Sequence, residues 1–322
     1  MLLQRECCPA CGATNSKTIF SASYNESPVR DYVIAYYALD RRGLVGQYER
    51  LVGNGKYELN SCGNCGLIYQ KSYPDSEFNQ ILYSEWISSR ASANGSTTSV
   101  DFKDAKHYIS EALKLVAMTM RLTGKSKPGE LRVLDFGMGM GDFAVALKAC
   151  GCETYGYDFA ENRQKLGDAL GLTVIGPGEI EGLDFDFINT EQVFEHLPDP
   201  GPTAQMLAKA LRPNGLLKIS VPFNRWLEKG DFTIDWKAGR YSRHSPMPNA
   251  PLEHLQYYRR PSLTHLGKQL GLKCVNISAM EHFQFSIEWL NGINFMKNIG
   301  RIVAFERFRN YYIFQNDNTK SV

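Results

Sequence analysis

The sequence predicts an α/β protein in which a doubly wound parallel sheet follows a small N-terminal domain that binds a metal. Two observations support this prediction. Cysteines are paired two residues apart near the N-terminus, and helix and strand patterns alternate from about Ala105 onward. The 36 Lys and Arg residues nearly balance the 34 Asp and Glu residues, which gives a net charge of +2. A hydrophobic content of 43% is enough for a substantial core.

The paired cysteines predict a structural zinc site. Cys8 and Cys11 form one pair, Cys62 and Cys65 form the other, and a glycine follows each pair. Two intervening residues let both sulfurs of a pair point at one ion, and four thiolates complete a closed tetrahedral site. Cys7 adjoins Cys8, but a ligand at position 7 would lose the two-residue spacing. The alternatives are four reduced cysteines that lie apart in space, or a redox-active pair.

The domain boundaries follow from these patterns. The 50 residues between the two cysteine pairs exceed the usual length of a zinc ribbon, so this aromatic-rich segment should fold as an insertion of its own. We expect residues 1–75 to form the zinc-binding domain, 76–104 a linker and 105–322 the α/β domain.

Composition also limits the partners and the compartment. No stretch reaches the roughly 18 apolar residues that a membrane span needs, and the N-terminus lacks a signal-peptide pattern. We therefore expect a cytoplasmic protein with no membrane partner. The balanced charge argues against nucleic acid as a partner.

The α/β half begins with a helix and a strand. Ile109, Leu113, Val116 and Met120 recur at helical spacing, and an apolar strand at 132–136 follows a polar turn. A glycine-rich turn and a helix from 143 to 149 come next. Later strands are predicted at 154–157, 173–175, 185–188, 216–221 and 310–315, the last of them antiparallel to its neighbours.

Two features should meet at the carboxyl ends of the first two strands. The turn after the first strand contains Gly137, Gly139 and Gly141, and Asp158 follows the second strand, 23 residues after Asp135. Ligands of doubly wound sheets bind at this edge. Glycines allow a ligand to approach backbone amides, and an acidic side chain at this distance can accept both hydroxyls of a ribose. The pattern predicts a cofactor that contains a nucleoside.

Asp142 narrows the choice of cofactor. Dinucleotide sites have a glycine at this position because the pyrophosphate rests on the helix N-terminus, where an acid would repel it. An NAD-dependent oxidoreductase is therefore less favoured than an enzyme whose cofactor has a nucleoside but no pyrophosphate. A zinc module with a degenerate cofactor domain and no enzymatic activity is a further alternative.

Residues 133–141 resemble the first motif of class I S-adenosylmethionine-dependent methyltransferases. The resemblance extends to about residue 272. Residues 155–158 look like the family's ribose-binding strand end, 195–200 like the segment after its fourth strand, and 211–215 like the turn into its fifth strand. The resemblance implies a Rossmann-like, seven-stranded methyltransferase sheet. The N-terminal cysteine pairs are similar to those of zinc-containing members, which include sugar C-methyltransferases.

The resemblance also implies an activity and a cofactor site. It implies methyl transfer from S-adenosylmethionine to a small-molecule acceptor, with a nucleotide-linked sugar or a polysaccharide precursor as the favoured acceptor. The residues that it assigns to cofactor binding are Asp135, Gly137, Met138, Gly139, Gly141, Asp158, Phe159 and Gln192.

A catalytic base is expected close to the carboxyl end of the fourth strand, where Glu195 and His196 are adjacent. Imidazole accepts protons near neutral pH, which suits His196 for this role. His254 lies in the segment 253–258, which resembles the pre-helix segment of one branch of the family, and is the third candidate. In the alternative interpretation, the Glu–His pair only caps a helix.

Two long segments are candidate acceptor-site insertions, at residues 223–252 and 282–309. The first is rich in aromatic and basic side chains, which suits a lid over an acceptor. The second is aromatic and apolar but interrupted by charges, so a buried helix or a homodimer contact is the preferred interpretation.

Overall fold

The computed structural model describes residues 1–87, 102–240, 242–283, 299 and 311–317. The strands, numbered in chain order, are β1 (Leu2–Gln4), β2 (Ser16–Ser23), β3 (Lys56–Cys62), β4 (Ile68–Gln70), β5 (Ser72–Pro74), β6 (Arg132–Phe136), β7 (Glu153–Tyr157), β8 (Thr173–Val174), β9 (Phe185–Glu191), β10 (Leu211–Ser220), β11 (Gln256–Tyr257), β12 (Lys273–Cys274) and β13 (Tyr311–Gln315).

The α-helices are α1 (Val29–Tyr36), α2 (Val45–Val52), α3 (Ser76–Ile81), α4 (Phe102–Thr123), α5 (Asp142–Ala149), α6 (Glu161–Ala169), α7 (Pro177–Ile180), α8 (Pro200–Lys209), α9 (Arg225–Glu228), α10 (Arg260–Gln269) and α11 (Ala279–Phe283). A π-helical turn covers Leu82–Ile87, and 3₁₀ turns cover Pro128–Glu130, Phe194–His196 and Met247–Asn249. Among the described helices, none has both the length and the apolar character that crossing a bilayer demands.

The described residues divide into two compact units. The first draws on residues 1–98, 194–201 and 224–266, and the second on 99–193, 202–223 and 267–322. The predicted boundaries at residues 75 and 104 differ from this division. One reason is that β11 pairs with β4 through Gln256 and Tyr69, so a distant segment completes a sheet of the first unit.

The first unit contains an antiparallel sheet of four strands in the order β11-β4-β3-β2 and a smaller sheet of β1 and β5. The segment between the cysteine pairs, which we expected to fold as an insertion of its own, shares an aromatic core with Leu227, Leu252 and Tyr257 from later in the chain. Tyr24, Tyr37, Tyr48 and Tyr57 are fully buried in this core, and so is Trp86. Residues 76–87, which we expected to be part of a linker, are helical. Their buried side chains contribute to the same core.

The second unit contains a seven-stranded sheet in the order β12-β13-β10-β9-β6-β7-β8. The pairs β6–β7, β6–β9, β9–β10 and β7–β8 are parallel. Strand β13 lies antiparallel between β10 and β12, as predicted for the last strand. The predicted fold class, a doubly wound Rossmann-like seven-stranded sheet, is confirmed.

Helix α4 is present where the helical spacing predicted it, but it buries a different face. Ala112, Leu115 and Val116 lie in the core of the second unit. Ile109 and Leu113 are 51% and 40% exposed. Only some of the apolar residues that predicted the helix therefore pack in the core of the second unit.

Two strands are longer than predicted. Strand β9 continues to Glu191, and β10 begins at Leu211, so the predicted turn at 211–215 belongs to the strand. The pairing of β10 with β9 is irregular between Leu211 and Leu216, where Asn214 has a φ of +64°. Residues 284–298 and 300–309 of the second candidate insertion, and residue 310 of the predicted last strand, lie outside the described residues, so the predictions made for them stay predictions.

Candidate cofactor and catalytic sites

The glycine-rich turn joins β6 to α5 at the carboxyl edge of the sheet. All three of its glycines have positive φ, with +79° at Gly137, +57° at Gly139 and +80° at Gly141. The Gly137 and Met138 amides both donate to the Tyr157 carbonyl, at 2.8 and 2.9 Å. A Cβ atom on Gly137 would lie 2.4 Å from the Val193 side chain, so this position has no room for another residue.

Gly139 connects the turn to the end of β7. Its amide donates to Asp158 Oδ2 at 2.9 Å, while the Ala160 amide donates to Oδ1, also at 2.9 Å. A Cβ on Gly139 would meet no atom within 4 Å, so the space above this peptide is open. Each carboxylate oxygen has two acceptor sites, so Asp158 can hold the turn and still accept hydroxyls from a ligand.

Two other predicted cofactor residues differ in their surroundings. The Met138 side chain is 6% exposed and packs beside Leu172 under the turn, which leaves only its backbone for a ligand. The Phe159 ring is 57% exposed and stands edge-on to Phe136 and Tyr157. Phe159 therefore offers an exposed aromatic surface beside Asp158.

Asp135 lies within β6, directly before the turn, and Gln192 follows β9. Asp135 is buried and accepts a hydrogen bond of 2.7 Å from Asn189 Nδ2. Burial raises the pKa of Asp135 to about 6, although Asn189 and Lys218 favour its charged form. Gln192 is exposed and has a φ of +54°, a strained value for this residue type.

An ion pair between a buried lysine and a partly exposed glutamate, which the sequence did not reveal, lies at the same edge. Lys218 Nζ lies 2.7 Å from Glu191 Oε2, and Ser220 Oγ donates to Glu191 Oε1 at 2.7 Å. The Lys218 side chain is only 6% exposed. The sequence did not reveal this pair, because a lysine within a strand sequence gives no sign of burial.

The four predicted metal ligands meet in the first unit. The Cys8 and Cys65 sulfurs are 3.7 Å apart, and those of Cys11 and Cys62 are 3.6 Å apart. One ligand atom of each residue lies within 4.8 Å of the others, and Cys7 is not part of the group. Zinc–sulfur bonds of about 2.3 Å place tetrahedral sulfurs roughly 3.8 Å apart. The donor set and its spacing fit a zinc ion.

Gly12 and Gly66, which follow the two cysteine pairs, have φ values of +71° and +76°. The Asn64 amide donates to Cys62 Sγ at 3.4 Å. Both glycines therefore have a left-handed backbone conformation, which a residue with a side chain rarely adopts.

The three predicted catalytic residues also lie together in the first unit. His196 Nε2 is 3.7 Å from Glu195 Oε1, and the rings of His196 and His254 are 4.8 Å apart and nearly perpendicular. His196 Nδ1 is 3.0 Å from the Glu253 carbonyl oxygen. Because a carbonyl only accepts, Nδ1 is the donor, and the lone pair of a neutral His196 is on Nε2.

His254 is nearly inaccessible to solvent, at 8% exposure. Burial lowers the pKa of His254 to about 3, and the neighbouring His196 adds to the effect. The imidazole of His254 is therefore neutral at physiological pH. A neutral His254 avoids repulsion when His196 gains a proton, so His196 is the better placed proton acceptor of the two.

Gln70 positions the His254 loop and was not predicted. Its side-chain amide donates to the Ala250 and His254 carbonyls, at 2.9 and 2.8 Å. Its Oε1 accepts from the Leu252 amide at 3.2 Å and from the Tyr24 hydroxyl at 3.3 Å. A glutamine at the end of an apolar strand carries no sequence signal for contacts with a segment 180 residues away.

The profile of a family described as a methyltransferase domain matches residues 104–277, more than half of the chain. A ubiquinone biosynthesis O-methyltransferase of Coxiella burnetii is 25% identical over 187 residues, which are 55% of this chain and 76% of that protein. Its counterpart from Aromatoleum aromaticum is 25% identical over 165 residues, 47% of this chain and 68% of that protein.

One similar crystal structure is the 1,6-didemethyltoxoflavin-N1-methyltransferase of Burkholderia thailandensis, with bound 1,6-didemethyltoxoflavin and S-adenosylhomocysteine. It is 18% identical, with a TM-score of 0.42, and the match covers 77% of this chain and 94% of that chain.

The chain belongs to the methyltransferase domain family. The predicted enzyme class, an S-adenosylmethionine-dependent methyltransferase, is confirmed, and the oxidoreductase and the non-enzymatic module are not supported.

Proposed function

We propose that the glycine-rich turn and Asp158 hold S-adenosylmethionine, and that the protein methylates a nucleotide-linked sugar or a polysaccharide precursor. The observation that carries the cofactor site is the hydrogen bond from the Gly139 amide to Asp158. It joins the turn after β6 to the acid after β7, with open space above Gly139. This is the edge at which doubly wound sheets bind ligands.

The order of the strands supports one orientation of the cofactor along the carboxyl edge of the sheet. Strand β7 lies on one side of β6 and β9 on the other. The ribose hydroxyls fit Asp158, and the adenine fits the exposed ring of Phe159. The amino-acid end then extends toward Asp135 and Asn189 at β6 and β9. The buried carboxylate of Asp135 favours a cationic partner, such as the ammonium group at the amino-acid end of the cofactor.

Calorimetry with S-adenosylhomocysteine tests the cofactor site. Asp158→Ala removes charge-assisted contacts to the ribose and should weaken binding by about 2 kcal/mol, roughly thirtyfold. Asp168→Ala changes an exposed acid on α6 and is the matched control. Tight NAD binding by the wild type, or equal affinities of both variants, would contradict the proposal.

The polar character of the carboxyl edge supports a hydrophilic acceptor. Glu191, Lys218 and Ser220 form a hydrogen-bonded group where β9 and β10 end, and the Glu191 side chain is 48% exposed. A polyhydroxylated acceptor can bind the remaining acceptor sites of the exposed Glu191 carboxylate, whereas an apolar ring would remove this carboxylate from water without replacing its hydrogen bonds to water. Transfer of labelled methyl groups from S-adenosylmethionine into a panel of nucleotide-linked sugars identifies the acceptor.

We also propose His196 as the group that removes the acceptor's proton. The bound cofactor supplies the electrophilic methyl group. His196 Nε2 accepts the proton, the Glu253 carbonyl fixes the ring through Nδ1, and the Glu195 carboxylate at 3.7 Å stabilises the imidazolium. His254 stays neutral beside it.

Kinetics of His196→Gln test this assignment. Turnover should fall by about two to four orders of magnitude, with S-adenosylhomocysteine affinity nearly intact. His265→Gln, on α10, serves as the control. If His196 only supports the local structure, the variant loses thermal stability while its folded fraction turns over normally, and the proposal fails.

A structural zinc ion held by Cys8, Cys11, Cys62 and Cys65 completes the proposed function. The sulfur spacing supports it, and a set of four thiolates leaves no position for substrate. The zinc ion therefore acts on stability and not on the reaction.

A further inference from the structure

A row of polar side chains crosses the central strands of the seven-stranded sheet. Asp135 on β6 is in register with Asn189 on β9, and Asn189 is in register with Lys218 on β10. Paired residues of neighbouring strands share one face of a sheet. All three residues are at most 5% exposed, so a carboxylate, an amide and an ammonium group lie side by side in the interior of the second unit.

The Lys218 side chain extends from its own strand toward the neighbouring one. Its Nζ donates to Glu191 Oε2 at 2.7 Å. Glu191 is on β9, and β9 lies between β10 and β6. The ammonium group of Lys218 is therefore directed toward the strand that carries Asp135. The rings of Phe143 and Tyr311 flank this ammonium group, with centres 5.8 and 5.4 Å from Nζ.

The charge of Lys218 acts on the buried carboxyl of Asp135. Burial raises the pKa of Asp135 to about 6, while the hydrogen bond from Asn189 and the charge of Lys218 favour the ionised form. Anionic neighbours have the opposite effect. The titratable groups that face Asp135 are Lys218 from β10, Glu191 from β9, Asp158 from the end of β7 and Tyr108 from α4.

The ionised form of Asp135 is the one that suits a cofactor with an amino-acid end. A carboxylate binds an ammonium group through a charge-assisted hydrogen bond, and a protonated carboxyl loses this charge. Asn189 offers a second acceptor beside it. Its Oδ1 is buried and has no hydrogen-bond partner among the described residues, while its Nδ2 donates to Asp135 at 2.7 Å.

We propose that Lys218 is a positioning residue of the cofactor site. Its buried charge keeps Asp135 ionised, and Asp135 in turn binds the ammonium group at the amino-acid end of the cofactor. Lys218 acts through Asp135 and not by touching the cofactor, because its own ammonium group is bound to Glu191 between two aromatic rings. The inference rests on the proposed function, from which it takes the contact between Asp135 and the cofactor.

Calorimetric titrations with S-adenosylhomocysteine between pH 5 and pH 8 test this role, since this ligand carries the same ammonium group. The affinity of the wild type should fall as pH drops through about 6, where Asp135 gains a proton. Lys218→Met removes the cation and should move this fall upward by about one pH unit. Affinity should then be about fivefold weaker than wild type at pH 6 but within about twofold at pH 8.

Glu191→Gln separates this role from a structural one. It disrupts the same ion pair but removes a negative charge beside Asp135, so the fall in affinity should occur at a lower pH than in the wild type. A purely structural ion pair predicts similar losses in E191Q and K218M, with the midpoint unchanged. Lys218→Arg keeps the charge and should restore the wild-type profile. Lys209→Met, at an exposed lysine on α8, is the matched control.

The outcomes distinguish this inference from the cofactor site on which it rests. An unchanged midpoint in K218M overturns the inference alone, and so does a midpoint in E191Q at or above that of the wild type. E191Q decides the matter if K218M does not fold. Asp135→Asn should bind weakly and without the pH-dependent fall, and a fall that persists in D135N also overturns the inference. Absence of binding by the wild type overturns the proposed cofactor site itself.

Discussion

Single residues decide the geometry of the glycine-rich turn. Gly137 and Gly139 both have left-handed φ, but a Cβ at Gly137 would collide with Val193, whereas at Gly139 it would enter open space. We expect Gly137→Ala to lower the free energy of unfolding by about 3 kcal/mol, through strain and overpacking. Gly139→Ala should cost only about 1 kcal/mol but lower S-adenosylhomocysteine affinity on the order of tenfold.

Denaturant unfolding and calorimetry separate the two effects. If Gly139→Ala binds the cofactor product as tightly as the wild type, the open space above residue 139 is not part of the cofactor site. The sequence identified these glycines, but it did not distinguish the one that packing requires from the one that faces open space. Packing against Val193 is a tertiary contact 56 positions away along the chain.

Asp135 should make stability depend on pH. Its pKa is about 6 in the folded protein and near 3.8 when unfolded, so folding disfavours the charged form. The folded state is therefore not penalised below pH 3.8, and a penalty on the order of 3 kcal/mol develops as pH rises from 3.8 through 6. Asp135→Asn removes the charge while keeping an oxygen for Asn189, and should gain stability relative to wild type over this range.

Urea unfolding at pH 4.5 and pH 7.5 measures the effect. The difference between D135N and wild type should be larger at pH 7.5. Asp168→Asn, which alters an exposed acid, should show no such trend. A pH-independent difference between D135N and the wild type would mean that burial does not raise the pKa of Asp135.

Individual elements were predicted unequally well, for physical reasons. Strand β6 spans the predicted residues because Val133, Leu134 and Phe136 form a short apolar stretch between a polar turn and a glycine-rich turn. Helix α4 also formed where predicted, but its buried face did not follow the spacing of Ile109 and Leu113. Helical periodicity specifies a face, but the neighbouring elements determine which face is covered.

The contribution of β11 and the loop before it escaped prediction for another reason. This segment joins the first unit through β4, and Gln70 ties the two together. Pairing between segments so distant in sequence depends on backbone hydrogen bonds, and these are independent of side-chain type. The four cysteines, in contrast, lie close together, as two pairs with a two-residue spacing suggested, and their role as zinc ligands stays a prediction.

Gln70→Leu tests the importance of this link between elements. The substitution leaves the Ala250 and His254 carbonyls and the Leu252 amide without their buried partner, which should cost roughly 3–5 kcal/mol of unfolding free energy. Gln80→Leu, at an exposed position of α3, should change stability by less than about 1 kcal/mol. A similarly small effect of Q70L would show that β4 and the His254 loop are held together by other contacts.

At the scale of the whole molecule, the two units have separate hydrophobic cores. One is aromatic and includes Tyr24, Tyr57 and Trp86, and the other includes Leu115, Val133 and other aliphatic residues around the sheet. The proposed zinc site belongs to the first unit and the proposed cofactor site to the second. Ligands that bind one unit should therefore act first on the local stability of that unit.

Removal of the metal should show this separation. Elemental analysis should find about one zinc per chain, and Cys62→Ser should lose it. Hydrogen exchange of C62S should then accelerate in the first unit, in peptides that contain β3 and β4, because thiolates without a cation repel one another and the turns that hold them lose their crosslink. Peptides of β6 and β9 should keep most of their protection, and S-adenosylhomocysteine should protect residues 137–141 in the variant and wild type alike.

Cys274→Ser, at an exposed cysteine outside the group, is the matched control and should leave both zinc content and exchange unchanged. Equal acceleration in both units would show that they unfold as one body, and full zinc retention by C62S would exclude the four-cysteine site.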